Sequence, residues 1–135
     1  MDCLFCEEEG GTVLWQDDFC RIVRAPGDGY PGLCRVVLQR HVREMTDLAE
    51  DERARLMAAV FATESALRGL FRPDKINLAS FGNQVPHLHW HVIPRTADDP
   101  HFPDPAWGPA RRAAPPVAAG VSDAAIAAKL AELLN

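Results

Sequence analysis

Nowhere in the chain do apolar residues run for the roughly 20 positions that a membrane-spanning helix requires, so no spanning helix is expected. Charge of one sign never gathers either. The net charge of −5 is spread without a block, which removes the electrostatic footprint of a nucleic-acid or acidic-membrane binder. Met1-Asp2-Cys3 opens with neither a basic nor an apolar stretch and does not read as a secretory signal. Only four cysteines are present, at Cys3, Cys6, Cys20 and Cys34. In that setting they are expected to be thiols or metal ligands rather than a disulfide framework, and the expected location is the cytoplasm. There is no internal repeat, and 135 residues are the length of one domain.

What remains is ordinary globular material: 47% apolar and 24% charged residues. After a cysteine-bearing head, Cys3–Gly11, short apolar segments at Thr12–Trp15, Phe19–Val23 and Leu33–Leu38 read as strands. Asp17-Asp18 reads as a turn, and Ala25–Gly32 as a loop punctuated by Pro26, Gly27, Gly29, Pro31 and Gly32. Leu56, Val60, Leu67 and Leu70 then recur at helical spacing. Thr46 or Asp47 is the expected cap of this helix and Pro73 its end. Ile76–Phe81 and Leu88–Ile93 read as two further strands, separated by a break at Gly82-Asn83. Pro94–Pro116 is expected to be irregular surface chain, and Ser122 or Asp123 to cap a final helix, Ala124–Leu134. Strands around one main helix, the early ones joined by short links, imply α+β with a largely antiparallel sheet. Cys20 and Cys34, within strands, are expected to be buried.

Three of the five histidines fall in one window, His87-Leu88-His89-Trp90-His91. Alternation along a strand puts His87, His89 and His91 on one face, with Leu88, Trp90 and Val92 turned to a core. Three imidazoles in a row suit neither a core nor a plain solvated face. Two chemistries fit: a metal site, or a relay in which a neutral imidazole attacks phosphorus while its neighbours hold the oxygens. The flanking residues are Asn83 and Gln84. Amides donate to phosphate oxygens and seldom bind transition metals, which favours the relay. Cys3-Leu4-Phe5-Cys6 is a C-x-x-C pair that can grip one zinc if two more ligands join it, with His41 and His87 as candidates. The plain alternative is a loose head with two thiols. A redox role is disfavoured because no helix is expected after Cys6. Arg95 follows the histidine strand and can meet phosphate or solvent. His101 reads as a surface-loop histidine. Trp90 and Trp107 read as core or as part of a dimer surface.

The segment from Gly82 to Arg95, with its His-Leu-His-Trp-His-Val-Ile core, resembles the signature of the histidine-triad (HIT) superfamily. Asp17-Asp18, the Pro31-Gly32 loop, the strand to Leu38 and Arg40-His41-Val42 follow the family's order, so the resemblance covers about residues 3–95 and leaves 96–135 as a tail. It implies a HIT-like fold of about five antiparallel strands on one main helix, with an added C-terminal helix. It implies a nucleotide hydrolase or nucleotidyl transferase that cleaves an α-phosphate bond in a phosphoramidate or dinucleoside polyphosphate. His89 would be the nucleophile, its other ring nitrogen donating to the His87 carbonyl; His91 would steady the phosphate oxygens, and Asn83 and Gln84 would bind substrate. No cofactor is needed for that chemistry, while Cys3, Cys6, His41 and His87 match a structural zinc set of the superfamily. A homodimer is implied by resemblance alone. The sequence departs from the pattern at Leu33, where many relatives carry another histidine, and at Ala25, where many carry a ribose-binding acid, Asp28 being nearby on the loop. It departs also at Gln84, where a small hydroxyl residue is usual. These departures keep open a binding module with little turnover; a zinc-dependent hydrolase using the triad as ligands is the third reading.

Overall fold

Five short segments that alternate between two environments pair into a single antiparallel sheet: β1 (Thr12–Gln16), β2 (Cys20–Arg24), β3 (Cys34–Leu38), β4 (Lys75–Ala79) and β5 (His89–Arg95), in the order β1-β2-β3-β5-β4. The computed structural model describes residues 2–25, 29–116 and 120–135, so Pro26, Gly27 and Asp28 of the expected loop lie outside the described residues. The turn between β1 and β2 is closed by the Asp17 carboxylate, which accepts from the Phe19 and Cys20 amides at 2.9 Å each. That local side-chain bond is why an Asp-Asp pair reads as a turn.

Register assigns the faces. Ile22 pairs with Val36 and Val36 with Trp90, so these residues share one side. With Cys20, Cys34, Leu38 and Val92 they pack against the main helix α2 (Glu50–Phe71) and the final helix α3 (Asp123–Leu134). Leu56, Val60 and Leu67 on α2 are fully buried, each contributing about 1.5–3 kcal/mol of transfer free energy. Cys20 and Cys34 are buried as expected, and burial pushes both thiols up to about 12. Among the described residues no helix is long and apolar enough to cross a membrane.

Several boundaries differ from the sequence reading. Thr46 and Asp47 do not cap α2. They lie in a preceding 3₁₀ turn, Met45–Asp47, where the Asp47 carboxylate accepts from the Glu44 amide at 3.4 Å. The cap position is Ala49, whose N–H is taken by the Glu52 carboxylate at 3.0 Å. The stop at Pro73 holds, preceded by Arg72 in the left-handed region at φ 50°. Strand β5 starts one residue later than expected and runs through Pro94 to Arg95. Pairing with β3 ends at Val92, so Pro94 faces no partner on that side, a position where proline is tolerated. Ser122 caps α3 by accepting from the Ala125 amide at 3.1 Å.

The other face of the sheet carries Arg21, Val23, Arg35, Val37, His89 and His91, with Arg35 directly opposite His91 and Val37 opposite His89. The head closes over part of it. A one-turn helix, α1 (Leu4–Glu7), is present where no helix was expected, and Cys3 and Phe5 bury against Val23 and Val37. Arg21 fastens α1 in place, donating to the carbonyls of Phe5 (2.6 Å), Glu8 (3.0 Å) and Glu9 (2.9 Å). Cations are favoured at a helix C-terminus, where carbonyls lack partners.

Candidate functional site

His87 joins two centres. It sits just before β5, fully buried, in chain that pairs loosely with residues 38–42: the Leu38 amide donates to Leu88 and the Leu88 amide to Val42. Its Nε2–H donates to the Leu38 carbonyl at 2.6 Å, which leaves Nδ1 as the lone-pair nitrogen. That atom lies 3.3 Å from Cys3 Sγ, 3.5 Å from Cys6 Sγ and 3.3 Å from His41 Nδ1, while Cys6 Sγ and His41 Nδ1 are 3.5 Å apart. All four ligand atoms fall within 4.8 Å of one another. Tetrahedral zinc, at about 2.3 Å from sulfur and about 2.0–2.1 Å from nitrogen, sets its ligands roughly 3.3–3.8 Å apart. The donor set therefore fits a tetrahedral ion. Cys3 and His87 form its buried half; Cys6 and His41 are exposed.

His89 begins β5 and turns the other way. Its Nδ1–H donates to the His87 carbonyl at 2.6 Å. The tautomer is thereby set, and Nε2 keeps its lone pair. Phe5 packs edge-on against the ring at 4.7 Å. Burial holds the His89 imidazole below its usual range, so it is neutral at pH 7. His91 follows at 5.0 Å from His89, and burial, with the neighbouring His89 and Arg35, brings it down to about 4. Its Nδ1 is buried with no partner among the described residues. Neither His89 nor His91 belongs to the four-atom cluster, so the relay and the metal-type site are adjacent and separate.

His89 and His91 open into a cleft of about 510 Å³. Asn83 and Gln84 line it and are exposed, so the amides do sit beside the imidazoles. Two lining residues were not singled out from the sequence. Arg35 reaches the cleft from β3; its Nη1 donates to the Gly10 carbonyl at 2.8 Å and its Nε is buried without a partner among the described residues. Phe81 forms part of the wall with Trp107, the latter read earlier as core or dimer surface and here 53% exposed at the cleft. Trp90 is half-buried against the core. Leu33 is half-buried and Ala25 buried, and neither lines the cleft.

Arg95 meets neither phosphate nor solvent. It is buried in a salt bridge to Asp99, with Nε–Oδ2 at 2.6 Å and Nη2–Oδ1 at 3.0 Å, and also donates to Asn77 and to the Asp104 carbonyl. His101 is not a free surface histidine: its Nδ1 lies 2.7 Å from the Tyr30 hydroxyl and its ring stacks on that tyrosine. These contacts fold the residues after β5 back over the sheet.

A family model described as "HIT domain" matches residues 7–98. Among curated proteins, the AP-4-A phosphorylase of Mycobacterium tuberculosis (strain H37Rv) is 35% identical over 78 residues, which are 53% of this chain and 40% of that protein. The chain thus spans about two fifths of the length of the curated relatives it matches. Among solved structures, a histidine triad protein from Marinobacter aquaeolei VT8 is similar at a TM-score of 0.71 and 31% identity, over 93% of this chain and 90% of the other. Another, from Sinorhizobium meliloti 1021, is similar at 0.71 and 27% identity, over 93% and 91%.

Proposed function

The chain belongs to the HIT domain family, and from that premise we propose that it cleaves an α-phosphate bond of a nucleotide conjugate through a covalent nucleotidyl-His89. The observation that carries this reading is the 2.6 Å bond from His89 Nδ1–H to the His87 carbonyl. It leaves Nε2 as the free lone pair of a neutral imidazole in a cleft that also holds a guanidinium and two side-chain amides. Nε2 attacks phosphorus, and the bond from phosphorus to the leaving group breaks; that group departs with the electron pair and takes up a proton. The His87 carbonyl stabilises the positive charge that develops on the ring. Water then attacks phosphorus and loses a proton, the P–N bond breaks, and a nucleoside monophosphate leaves with His89 restored. Orthophosphate as acceptor would give the diphosphate by the same route.

His91 and Arg35 hold the phosphate oxygens, and the buried unpartnered Arg35 Nε supports that role. Asn83 and Gln84 donate to the phosphate from the loop before the triad. His87 acts through its carbonyl. Phosphoramidates and dinucleoside polyphosphates are the substrate classes, the second supported by the AP-4-A phosphorylase relative. The same proposal places a structural zinc on Cys3, Cys6, His41 and His87, where the ion ties the head to the sheet. No organic cofactor, nucleic acid or membrane takes part, and a homodimer in the cytoplasm is the proposed setting.

The test is release of nucleoside monophosphate from a panel of nucleoside phosphoramidates and dinucleoside polyphosphates, with a base quench to retain an acid-labile histidine adduct. His89→Ala is expected to lose roughly 10⁴-fold or more in turnover and to form no adduct, and wild-type activity is expected to survive a chelator. Undiminished release by His89→Ala sinks the mechanism. Tight nucleotide binding without turnover in wild type returns the chain to the binding-module reading.

A further inference from the structure

Phe5 touches both of the groups that the proposed reaction needs in a fixed relation. Its ring packs edge-on against His89, with centroids 4.7 Å apart at 71°. The Arg35 guanidinium lies over the same ring, its central carbon 5.7 Å from the centroid. Phe5, Arg35 and His89 all line the cleft. A ring so placed acts on each neighbour. It blocks rotation of the imidazole it abuts, and its electron-rich face attracts the guanidinium.

The ring is itself held. Phe5 is buried against Val23 and Val37, and its carbonyl accepts from Arg21 Nη2 at 2.6 Å. Gly10 abuts it: a Cβ at that position would lie 2.7 Å from Phe5 Cε1, closer than side-chain atoms approach. Its φ of +92° also lies in the left-handed region that favours glycine. The carbonyl of the same glycine accepts from Arg35 Nη1 at 2.8 Å. Gly10 therefore serves both groups. Its missing side chain lets the Phe5 ring lie where it does, and its carbonyl aims the guanidinium. Among the described residues Nη1 is the one guanidinium nitrogen of Arg35 with a hydrogen-bond partner, so the group is oriented and keeps donors for an anion. Gly10 does not line the cleft, and none of these bonds passes through the four-atom cluster.

We propose that Phe5, braced by Gly10, is a positioning residue: it holds the His89 imidazole and the Arg35 guanidinium in one fixed relation, so that a phosphate gripped by Arg35 lies within reach of His89. The proposal rests on the nucleotidyl-His89 reading, and its test separates the two. Three roles are open to a buried ring at a cleft, and each has its own signature. A ring that orients the reacting groups acts on kcat, because misplacement by about 1 Å costs on the order of 100-fold. A ring that only touches substrate acts on KM. A ring that only fills the core acts on stability.

Steady-state turnover of a nucleoside phosphoramidate by the full chain is measured for Phe5→Leu, Phe5→Tyr, Gly10→Ala, Arg35→Met and the double variant Phe5→Leu with Arg35→Met. Tm and metal content are read for each. Phe5→Leu keeps an apolar group against Val23 and Val37 and loses the ring. It is expected to lower kcat about 10–100-fold with KM changed by less than about 3-fold. Phe5→Tyr keeps the ring and is expected to recover most of kcat. Gly10→Ala, outside the cleft, is expected to lower kcat about 10-fold with KM again little changed. The double variant is expected to be several-fold more active than the product of the two single losses, because the guanidinium it lacks was one of the groups Phe5 positions. Nitrogen NMR of the histidine-labelled protein without substrate reads the His89 tautomer: Nδ1–H alone in wild type, a mixture in Phe5→Leu. Undiminished turnover in His89→Ala fails the underlying reaction and this proposal with it. Normal dependence on His89 with unchanged kcat in Phe5→Leu overturns the proposal alone. So does an effect on KM only, which makes Phe5 a substrate contact, or a loss of kcat that follows Tm or metal content, which makes it structural. Losses that simply multiply in the double variant, or a His89 spectrum unchanged in Phe5→Leu, also overturn it.

Discussion

Replacing Asp99 with alanine tests how the tail is braced. The carboxylate takes two bonds from Arg95, at 2.6 and 3.0 Å, one from the Tyr30 hydroxyl at 3.2 Å, and backbone amides from His101 at 3.0 Å and Phe102 at 2.8 Å. Both side chains of the ion pair are only 3% exposed. Removing one partner of a buried pair costs about 3–5 kcal/mol, mostly because the other charge is stranded. Arg95 would keep Asn77 and the Asp104 carbonyl as acceptors, so the lower end, about 3 kcal/mol, applies. That is a large part of a total of about 5–15 kcal/mol, and it lowers Tm by roughly 10 °C in a domain of this size. Burial by itself would raise the Asp99 carboxyl, but the Arg95 bond and the two amides outweigh it and hold it well below the usual carboxylate range. A depressed acid stabilises the fold above its unfolded value, near 3.9, and that contribution is lost as pH falls further. Urea titrations of wild type and Asp99→Ala at pH 7 and pH 2.5 read both effects: a gap of about 3 kcal/mol that narrows in acid. A gap below about 1 kcal/mol at pH 7, or one that does not narrow at pH 2.5, refutes the bracing argument.

Two further outcomes are expected. Because burial holds His89 below its usual range, kcat/KM should stay flat on descending from pH 8 through about 6.5 and fall only below that, as the nucleophile takes a proton; a pH profile with its acid limb at or above 6.5 contradicts the neutral-imidazole assignment. Metal analysis should give one zinc per chain. At free zinc about 100-fold above Kd the ion should add about 2.7 kcal/mol to stability, a gain abolished in Cys6→Ser; equal melting with and without chelator rules the cluster out as a metal site.

The sheet, the main helix and the triad were legible in the sequence because each rests on a local regularity: period-two alternation, helical spacing, or an Asp that closes its own turn. The four-atom cluster was legible in part: the C-x-x-C pair is local and named its candidate partners, but Cys3 and His87 stand 84 positions apart, and only the resemblance matched the four as a set. Arg35 was not legible. An arginine among valines can face either way, and only the register that sets it opposite His91 puts it in the cleft. Arg95 was misread for a related reason. The segment after β5 has no periodicity, and its path follows from a buried ion pair and from side-chain bonds to its own carbonyls, which no composition rule anticipates. Thr46 and Asp47 failed as helix caps because Asp47 serves its own turn first.

His89 and the Trp107 ring that faces it across His91 lie on different stretches of chain. The imidazoles belong to the segment shared with the rest of the family, and Trp107 comes after its end. The two stretches meet at the buried Arg95–Asp99 bridge and again where Trp107 packs edge-on against His91. The bond that sets the His89 tautomer, to the His87 carbonyl, lies wholly within that shared segment, so a tail of different sequence beyond Asp99 would change the cleft wall and leave the tautomer as it is. The wall of the cleft and the imidazole within it are therefore set by different parts of the chain.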